Sequence, residues 1–97
     1  MELISPYEWE DVSVEDTIHL PAEYGCYAFI QPWAGVVYIG RSKMLCTRLR
    51  AHSHKILRYL GNATRIAFNT ELYDHEKELI QKYKPIFNTA HLELTTT

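Results

Sequence analysis

Six side chains of this sequence are of types that can act together on an anionic ligand. Phenols and imidazoles move protons, guanidinium groups bind anions, and carboxylates hold hard divalent cations. Whether the six act as one set depends on the elements that position them. They are Tyr27, Tyr38, Arg48, His52, Glu76 and Asn88.

The two tyrosines fall on a predicted β-hairpin. Residues 26–30 and 36–39 are short runs of strand-forming residues, and residues 31–35 between them carry the Pro and Gly of a tight reversal. Because side chains alternate faces along a strand, Tyr27 is expected to share a face with Phe29.

The same alternation predicts that Val36 and Tyr38 share a face of the second strand. We therefore expect Tyr27 and Tyr38 to meet on one side of the hairpin. Gly25 and Gly40 bracket the pair, where the backbone needs room to approach another group. Paired tyrosines on strands are more often packing residues than catalytic ones, so the pair alone establishes no site.

The first helix is predicted over residues 43–60, with Ser42 as its N-cap and a Gly-Asn pair as its stop. A cationic stripe at i, i+4 and i+7 runs beside its apolar stripe, and a basic residue seven positions before Arg48 is expected to point the same way. Such a stripe is either a solvated face or an anion-binding one. Its members are Arg48, His52 and Lys55, preceded by Arg41 and Lys43.

A third strand is predicted over residues 64–69, with Ile66 and Phe68 on one face. A second helix is predicted over residues 71–83, capped by the Asn-Thr pair before it and closed by the Lys-Pro pair after it. Glu76 falls on the apolar stripe of this helix, where an unpaired carboxylate is costly. It either binds a metal or pairs with an arginine.

Charge is segregated along the chain, although the net charge is only −2. Seven of the twelve acids lie before residue 24, and seven of the ten Lys and Arg residues lie within 24–70, which holds no acid. The middle segment is suited to a polyanion, whereas the acidic ends argue against indiscriminate nucleic-acid binding.

Length and composition indicate one small globular domain of 97 residues, 46% of them hydrophobic. No apolar run is long enough for a membrane span, and no secretory signal is expected, which predicts a cytoplasmic protein, bacterial or phage-encoded. Cys26 and Cys46 fit no metal-pair spacing and are expected to be reduced. The histidines at 52, 54, 75 and 91 match no structural zinc pattern.

Taken together, these blocks resemble the GIY-YIG nuclease family. The resemblance covers residues 24–88, about two thirds of the chain, and four blocks in the right order are more specific than any one. Cys26 stands where the family name has Ile. The blocks are Gly25-Cys26-Tyr27, Tyr38-Ile39-Gly40 followed by Arg41, the Arg48-x-x-x-His52 spacing, and Glu76 followed by Leu79-Ile80 and Pro85-Ile86-Phe87-Asn88.

The resemblance implies a metal-dependent DNA endonuclease. It implies Tyr27 as general base, Glu76 as the ligand of Mg²⁺ or Mn²⁺, and Arg48 as the phosphate-binding group. Further implied roles are hydrogen bonding to phosphate or water by Tyr38, proton movement by His52, phosphate contact by Arg41, and support of the site by Asn88. Gly40, Lys43 and Lys55 complete the supporting or DNA-binding residues.

The predicted fold is therefore α/β (α+β), a small three-stranded antiparallel sheet flanked by helices. Residues 1–22 are expected to be an acidic arm packed on the domain, 23–92 the GIY-YIG-like domain and 93–97 a tail. A non-cleaving nucleic-acid-binding or protein-binding module on the same fold is the alternative. RNA as substrate and a homodimer both stay open.

Overall fold

The computed structural model describes residues 3–13, 16, 20, 22–49, 55–60 and 64–88, with the side chains of residues 57 and 58 left aside. Within these residues, four strands are interspersed with α-helices and short 3-10 turns. The strands are β1 (Glu10–Val12), β2 (Gly25–Gln31), β3 (Gly35–Ser42) and β4 (Arg65–Asn69). The helices are α1 (Leu45–Arg48), α2 (Lys55–Leu60) and α3 (Glu76–Tyr83), and the 3-10 turns are Pro6–Glu8 and Tyr73–His75.

The strands form one antiparallel sheet in the order β1-β4-β2-β3. The predicted antiparallel sheet is confirmed, but it has four strands instead of three. The additional strand, β1, comes from the acidic N-terminal segment, where Glu10 and Asp11 give little strand signal. An ion pair between Asp11 and Arg65 links β1 to β4.

Helices cover the sheet on both faces, so the central strand β2 is buried at every position. The α3 face holds Trp9, Cys26, Ala28, Ile30, Val36, Ile39, Ala67, Leu72 and Leu79. The α1 face holds Leu20, Tyr27, Phe29, Val37, Tyr38, Leu45, Leu49 and Ile66. Burial on both sides explains why β2 reads as a continuous apolar run.

The prediction that Val36 and Tyr38 share a face is wrong. The β2–β3 register pairs Phe29 with Tyr38 but Ile30 with Val36, so Val37 is an extra residue in β3. A bulge of this kind turns the strand by one residue. Val36 therefore packs on the α3 face, whereas Val37 and Tyr38 pack on the α1 face.

The helix predicted over residues 43–60 is not continuous. Helix α1 spans only four residues and ends at Arg48, with Leu49 as its C-cap, and α2 begins at Lys55; residues 50–54 lie outside the described part of the chain. Ser42 caps a turn instead of the helix, since its hydroxyl accepts from the Met44 amide at 3.0 Å. In the described ranges, no helix has the length and apolarity to cross a bilayer.

The second predicted helix also begins later than expected. Asn69 Oδ1 accepts from the Glu71 amide at 2.7 Å, which closes a turn, and α3 itself starts at Glu76. The predicted end is confirmed, because Lys84 adopts a left-handed conformation at the helix C-cap.

Both cysteines are free thiols, as expected. Cys26 is buried, and its thiol donates to the Leu72 carbonyl at 2.9 Å. Burial, reinforced by the negative charge of Glu76, raises the pKa of Cys26 to about 12. The thiolate is the reactive form, so Cys26 is a packing residue.

Candidate active site

The two phenols meet on the α1 face of the sheet, as the sequence predicts. Tyr27 lies on β2 and Tyr38 on the edge strand β3, and their ring centroids are 6.1 Å apart. Phe29 stacks against Tyr38 at 5.5 Å and fixes the plane of its ring. Both tyrosines are almost fully buried.

Gly40 lies directly opposite Tyr27 in the β2–β3 register. A β-carbon at Gly40 would lie 2.5 Å from both Cζ and Oη of Tyr27, closer than non-bonded atoms approach. The ring of Tyr27 therefore occupies the space that any other residue at position 40 would fill. Gly40 supports the site by giving the phenol its position.

Arg48 brings a positive charge to the two phenols. It is the last residue of α1, a helix anchored by the fully buried Leu45 and Leu49. The Arg48 guanidinium interacts with both phenols and lowers the pKa of each, and the two phenols also interact with each other. Tyr27, Tyr38 and Arg48 therefore lie together at one place in the fold.

Burial has the larger effect on the phenols. It raises the pKa of Tyr27 well above its usual value, with a smaller contribution from Tyr38, while Arg48 opposes the shift. Burial likewise raises the pKa of Tyr38, against its hydrogen bond with Tyr27 and the charge of Arg48. Both groups are neutral phenols at pH 7, so one nearby guanidinium does not produce a phenolate.

Glu76 reaches the same edge of the sheet from the opposite face. It is the first residue of α3, which packs on β3, and its charge contributes to the raised pKa of Tyr38. Its side chain is 22% exposed, and Arg41 Nε lies 3.6 Å from its Oε1. Burial raises the pKa of Glu76, whereas Arg41 and Lys77 lower it.

Asn88 holds the outer edge of β3. Its Oδ1 accepts from the Ile39 amide at 2.8 Å, and its Nδ2 donates to the Ile39 carbonyl at 2.8 Å. The Asn88 side chain is buried. Since Ile39 lies between Tyr38 and Gly40, Asn88 fixes the stretch of β3 that carries them.

The remaining predicted site residues are distributed differently. His52 lies outside the described residues, so its role stays a prediction. Arg41 lies on β3 and not on an early turn of the helix, so the prediction that it points with Arg48 is replaced by its contact with Glu76. Lys43 and Lys55 are exposed, next to α1 and at the start of α2.

Two contacts of the site were not predicted from the sequence. The guanidinium carbon of Arg41 lies 4.8 Å from the centroid of the Tyr73 ring, and Tyr24 packs on Tyr73 at 4.8 Å. Tyr73 lies three residues before Glu76, and this spacing was the signal that could have revealed it. The contact between Tyr73 and Arg41 depends on the 3-10 turn Tyr73–His75, whereas the sequence predicted a continuous helix over this segment.

A cavity of about 570 Å³ lies elsewhere, between β1 and the end of β4. Four of its lining residues are acids, namely Glu10, Asp11, Asp16 and Glu23. Negative charge would repel phosphate. The candidate site is instead the edge strand β3, which side chains from both helix layers reach.

Comparison with known proteins shows the same architecture in a nuclease domain. No family model matches the sequence. Among solved structures, the N-terminal GIY-YIG endonuclease domain of UvrC from Thermotoga maritima matches with a TM-score of 0.60 and 28% sequence identity. The match covers 74% of this chain and 89% of that domain, which was solved as a point mutant bound to its catalytic divalent cation.

The residues at the β3 edge fit a hard divalent cation. Mg²⁺ commonly takes one or two protein carboxylates and keeps several waters, and Glu76 offers one half-buried carboxylate. Across the described ranges, no group of three or more His, Cys, Asp and Glu side chains is placed to enclose a metal. Water and substrate oxygens would therefore supply most of the coordination.

Proposed function

Because the chain has a GIY-YIG-like fold, with a nuclease domain as its structural neighbour, we propose that it is a metal-dependent endonuclease that hydrolyses phosphodiester bonds in DNA. One observation supports this most strongly. Two buried phenols, a guanidinium and a half-buried carboxylate converge at the edge strand of this fold. Each is a residue type that can serve phosphodiester hydrolysis, as proton acceptor, phosphate-binding group or metal ligand.

In the proposed reaction, Glu76 holds Mg²⁺ or Mn²⁺ and Arg48 binds the scissile phosphate. A bound divalent cation supplies positive charge to the phosphate oxygens and lowers the pKa of its water. Tyr27 is the general base, with Tyr38 as its hydrogen-bond partner. Burial raises the pKa of Tyr27 and Arg48 opposes that shift, so a divalent cation held by Glu76 would add positive charge that favours the base form.

The remaining groups orient and surround the substrate. His52 assists proton movement, Asn88 keeps β3 in place, and Gly40 gives the base its position. Lys43 and Lys55 are exposed cations beside α1 and α2, where they would contact phosphates that flank the scissile one. We propose that the reaction takes place in the cytoplasm.

A nicking assay tests this function. Supercoiled plasmid is incubated with the protein and Mg²⁺ or Mn²⁺, and nicked and linear products are measured. The parent is expected to nick, while Glu76→Gln and Tyr27→Phe each lose at least about a hundredfold in rate, the scale of a general-base contribution. Omission of the divalent cation should abolish nicking.

A non-cleaving nucleic-acid-binding module is the second candidate. Two observations favour it. Tyr27 is a neutral phenol, which is not a base, and the Glu76 carboxylate is already paired with Arg41 and not with a metal. Plasmid binding without cleavage, unchanged by Glu76→Gln, would establish the module and contradict the nuclease. A short RNA duplex in the same assay distinguishes RNA from DNA as the ligand.

A further inference from the structure

Arg41 has two fixed partners on its two sides. Its Nε lies 3.6 Å from the Glu76 carboxylate, and its guanidinium carbon lies 4.8 Å from the centroid of the Tyr73 ring. Tyr73 packs in turn against Tyr24, with ring centroids 4.8 Å apart. The guanidinium is therefore held between an aromatic ring and an acid.

Regular elements determine this arrangement. Arg41 is paired with Cys26 in the β2–β3 ladder, Tyr73 begins the 3-10 turn, and Glu76 begins α3. A planar guanidinium can stack on a ring and bond to a carboxylate at once, which a lysine ammonium does less well. The contact therefore belongs to the folded state, although the Arg41 side chain is 46% exposed.

We infer that Arg41 is a built-in counterion of Glu76, which a divalent cation must displace, and thus a positioning residue that sets the affinity for that cation. The inference rests on the proposed role of Glu76 as the cation ligand. Guanidinium and metal ion seek the same carboxylate oxygens, and two cations at that spacing repel each other. On displacement, the Tyr73 ring keeps the guanidinium at the β3 edge.

The test is the affinity for Mn²⁺ in the absence of nucleic acid, measured by isothermal titration calorimetry. Arg41→Gln removes the competing charge and is expected to bind Mn²⁺ about three- to fivefold more tightly, the range of a partly exposed ion pair. Arg41→Lys keeps the charge and should remain within about twofold of the parent. Glu76→Gln should abolish binding at this site.

Lys82→Gln is the matched control. Lys82 also lies over an aromatic ring, at 5.5 Å from the Tyr83 centroid, but at the opposite end of α3 from Glu76. Its removal changes the net charge by the same amount and should leave the Mn²⁺ affinity unchanged. Circular dichroism melts of all variants separate altered folding from altered binding.

Three outcomes would overturn the inference. The first is unchanged or weaker Mn²⁺ binding by Arg41→Gln, and the second is an increase in affinity for Arg41→Lys as large as that for Arg41→Gln. The third is no measurable Mn²⁺ binding by the parent and by Arg41→Gln alike. The nicking assay is scored separately. The expected order of affinities without any nicking supports the counterion and contradicts the nuclease. Nicking by the parent, with no increase in the Mn²⁺ affinity of Arg41→Gln, supports the nuclease and contradicts the counterion.

Discussion

The missing side chain of Gly40 shapes the candidate site as much as the side chains around it. Tyr27 is fully buried and interacts with Tyr38 and Arg48, so its ring has little room to move aside for a neighbouring side chain. Its phenol is held where β3 passes closest, and the position of the proposed base therefore depends on a glycine of the facing strand.

Gly40→Ala is expected to destabilise the protein by about 1–3 kcal/mol, the usual cost of overpacking a core. The new methyl group would meet Cζ and Oη of Tyr27 at 2.5 Å. The measurement is urea denaturation followed by circular dichroism. Because Oη is one of the two clashing atoms, adding Tyr27→Phe should recover part of the loss; no change in stability on Gly40→Ala would contradict the packing.

The carboxyl group of Glu76 is expected to titrate at a higher pH than the ordinary value of 4.5, because burial raises its pKa. Arg41 lowers it, so Arg41→Gln should raise the pKa further. Carbon-13 NMR of the side-chain carboxyl in the metal-free protein measures both. A Glu76 pKa at or below 4.5 would contradict the burial described for this side chain.

The sign of the shift has a consequence for stability. The folded protein holds the Glu76 proton more tightly than the unfolded chain, so this group favours folding at low pH. That contribution is lost as the pH rises from the unfolded pKa through the folded one. Affinity for a divalent cation changes in the opposite direction and falls as the carboxylate becomes protonated.

At the scale of elements, the site forms because an edge strand is reached from both faces. Helix α1 delivers Arg48 to one face of β3 and α3 delivers Glu76 to the other. Asn88 then occupies the outer hydrogen-bonding groups of Ile39 between them. The edge position of β3 lets residues of separate layers act on one ligand.

Asn88→Ala is expected to destabilise the protein by about 2–4 kcal/mol. The substitution removes two buried hydrogen bonds and leaves the Ile39 amide and carbonyl without them. Thermal and urea unfolding measure the loss. Asn69→Ala is the control, since its side chain bonds one exposed turn amide and should cost about 1 kcal/mol or less; equal losses would contradict the buried role of Asn88.

The sequence predicts the strands of this fold better than its helices. Strands β2, β3 and β4 follow from local runs of apolar and β-branched residues, and Tyr27 and Tyr38 meet as expected. The bulge at Val37 could not be predicted, because alternation alone fixes no register. The end of α1 at Arg48 could not be predicted either, since the apolar period of the sequence continues past it.

Contacts between distant elements were the other part that the sequence could not supply. The sequence predicts that Glu76 either binds a metal or pairs with an arginine. It does not predict that Arg41 stacks on Tyr73, because that contact requires the 3-10 turn before α3. The strand β1 was hidden because acidic residues have low strand propensity, and pairing with β4 outweighs that preference. Both features are decided by tertiary contacts.

At the scale of the whole molecule, charge segregation in the sequence becomes segregation in space. Strand β1, with Glu10 and Asp11, is one edge of the sheet, and β3, with Arg41, is the other. Three strand spacings separate the edges, roughly 14 Å. A polyanion would therefore approach the β3 edge with the acidic edge turned away, which orients the substrate before it binds.

The N-terminal segment is expected to be part of the folding unit, although its domain boundary stays a prediction. Trp9 is 4% exposed within the core beneath α3, and its indole donates to the Ile4 carbonyl at 2.9 Å. Trp9→Ala should cost about 3–5 kcal/mol of unfolding free energy, measured by urea denaturation.

Trp33→Ala is the matched control, because Trp33 lies in the β2–β3 turn and is 81% exposed. Its loss should change stability by no more than about 0.5 kcal/mol. Similar effects of the two substitutions would mean that the segment before β2 is an appendage instead of a core element. A large effect of Trp9→Ala alone would join residues of the acidic arm to the domain.

The bonds between Asn88 and Ile39 also bear on how copies of this chain avoid one another. A bare sheet edge is a template on which a second extended chain can zip up, and fibres begin by such pairing. Here one edge strand, β1, has only three residues. In the other edge strand, β3, the side-chain amide of Asn88 occupies the backbone amide and carbonyl of Ile39. A strand of a second copy could pair along β3 only after breaking the two hydrogen bonds between Asn88 and Ile39. Asn88 would therefore hinder edge-to-edge aggregation as well as support the site.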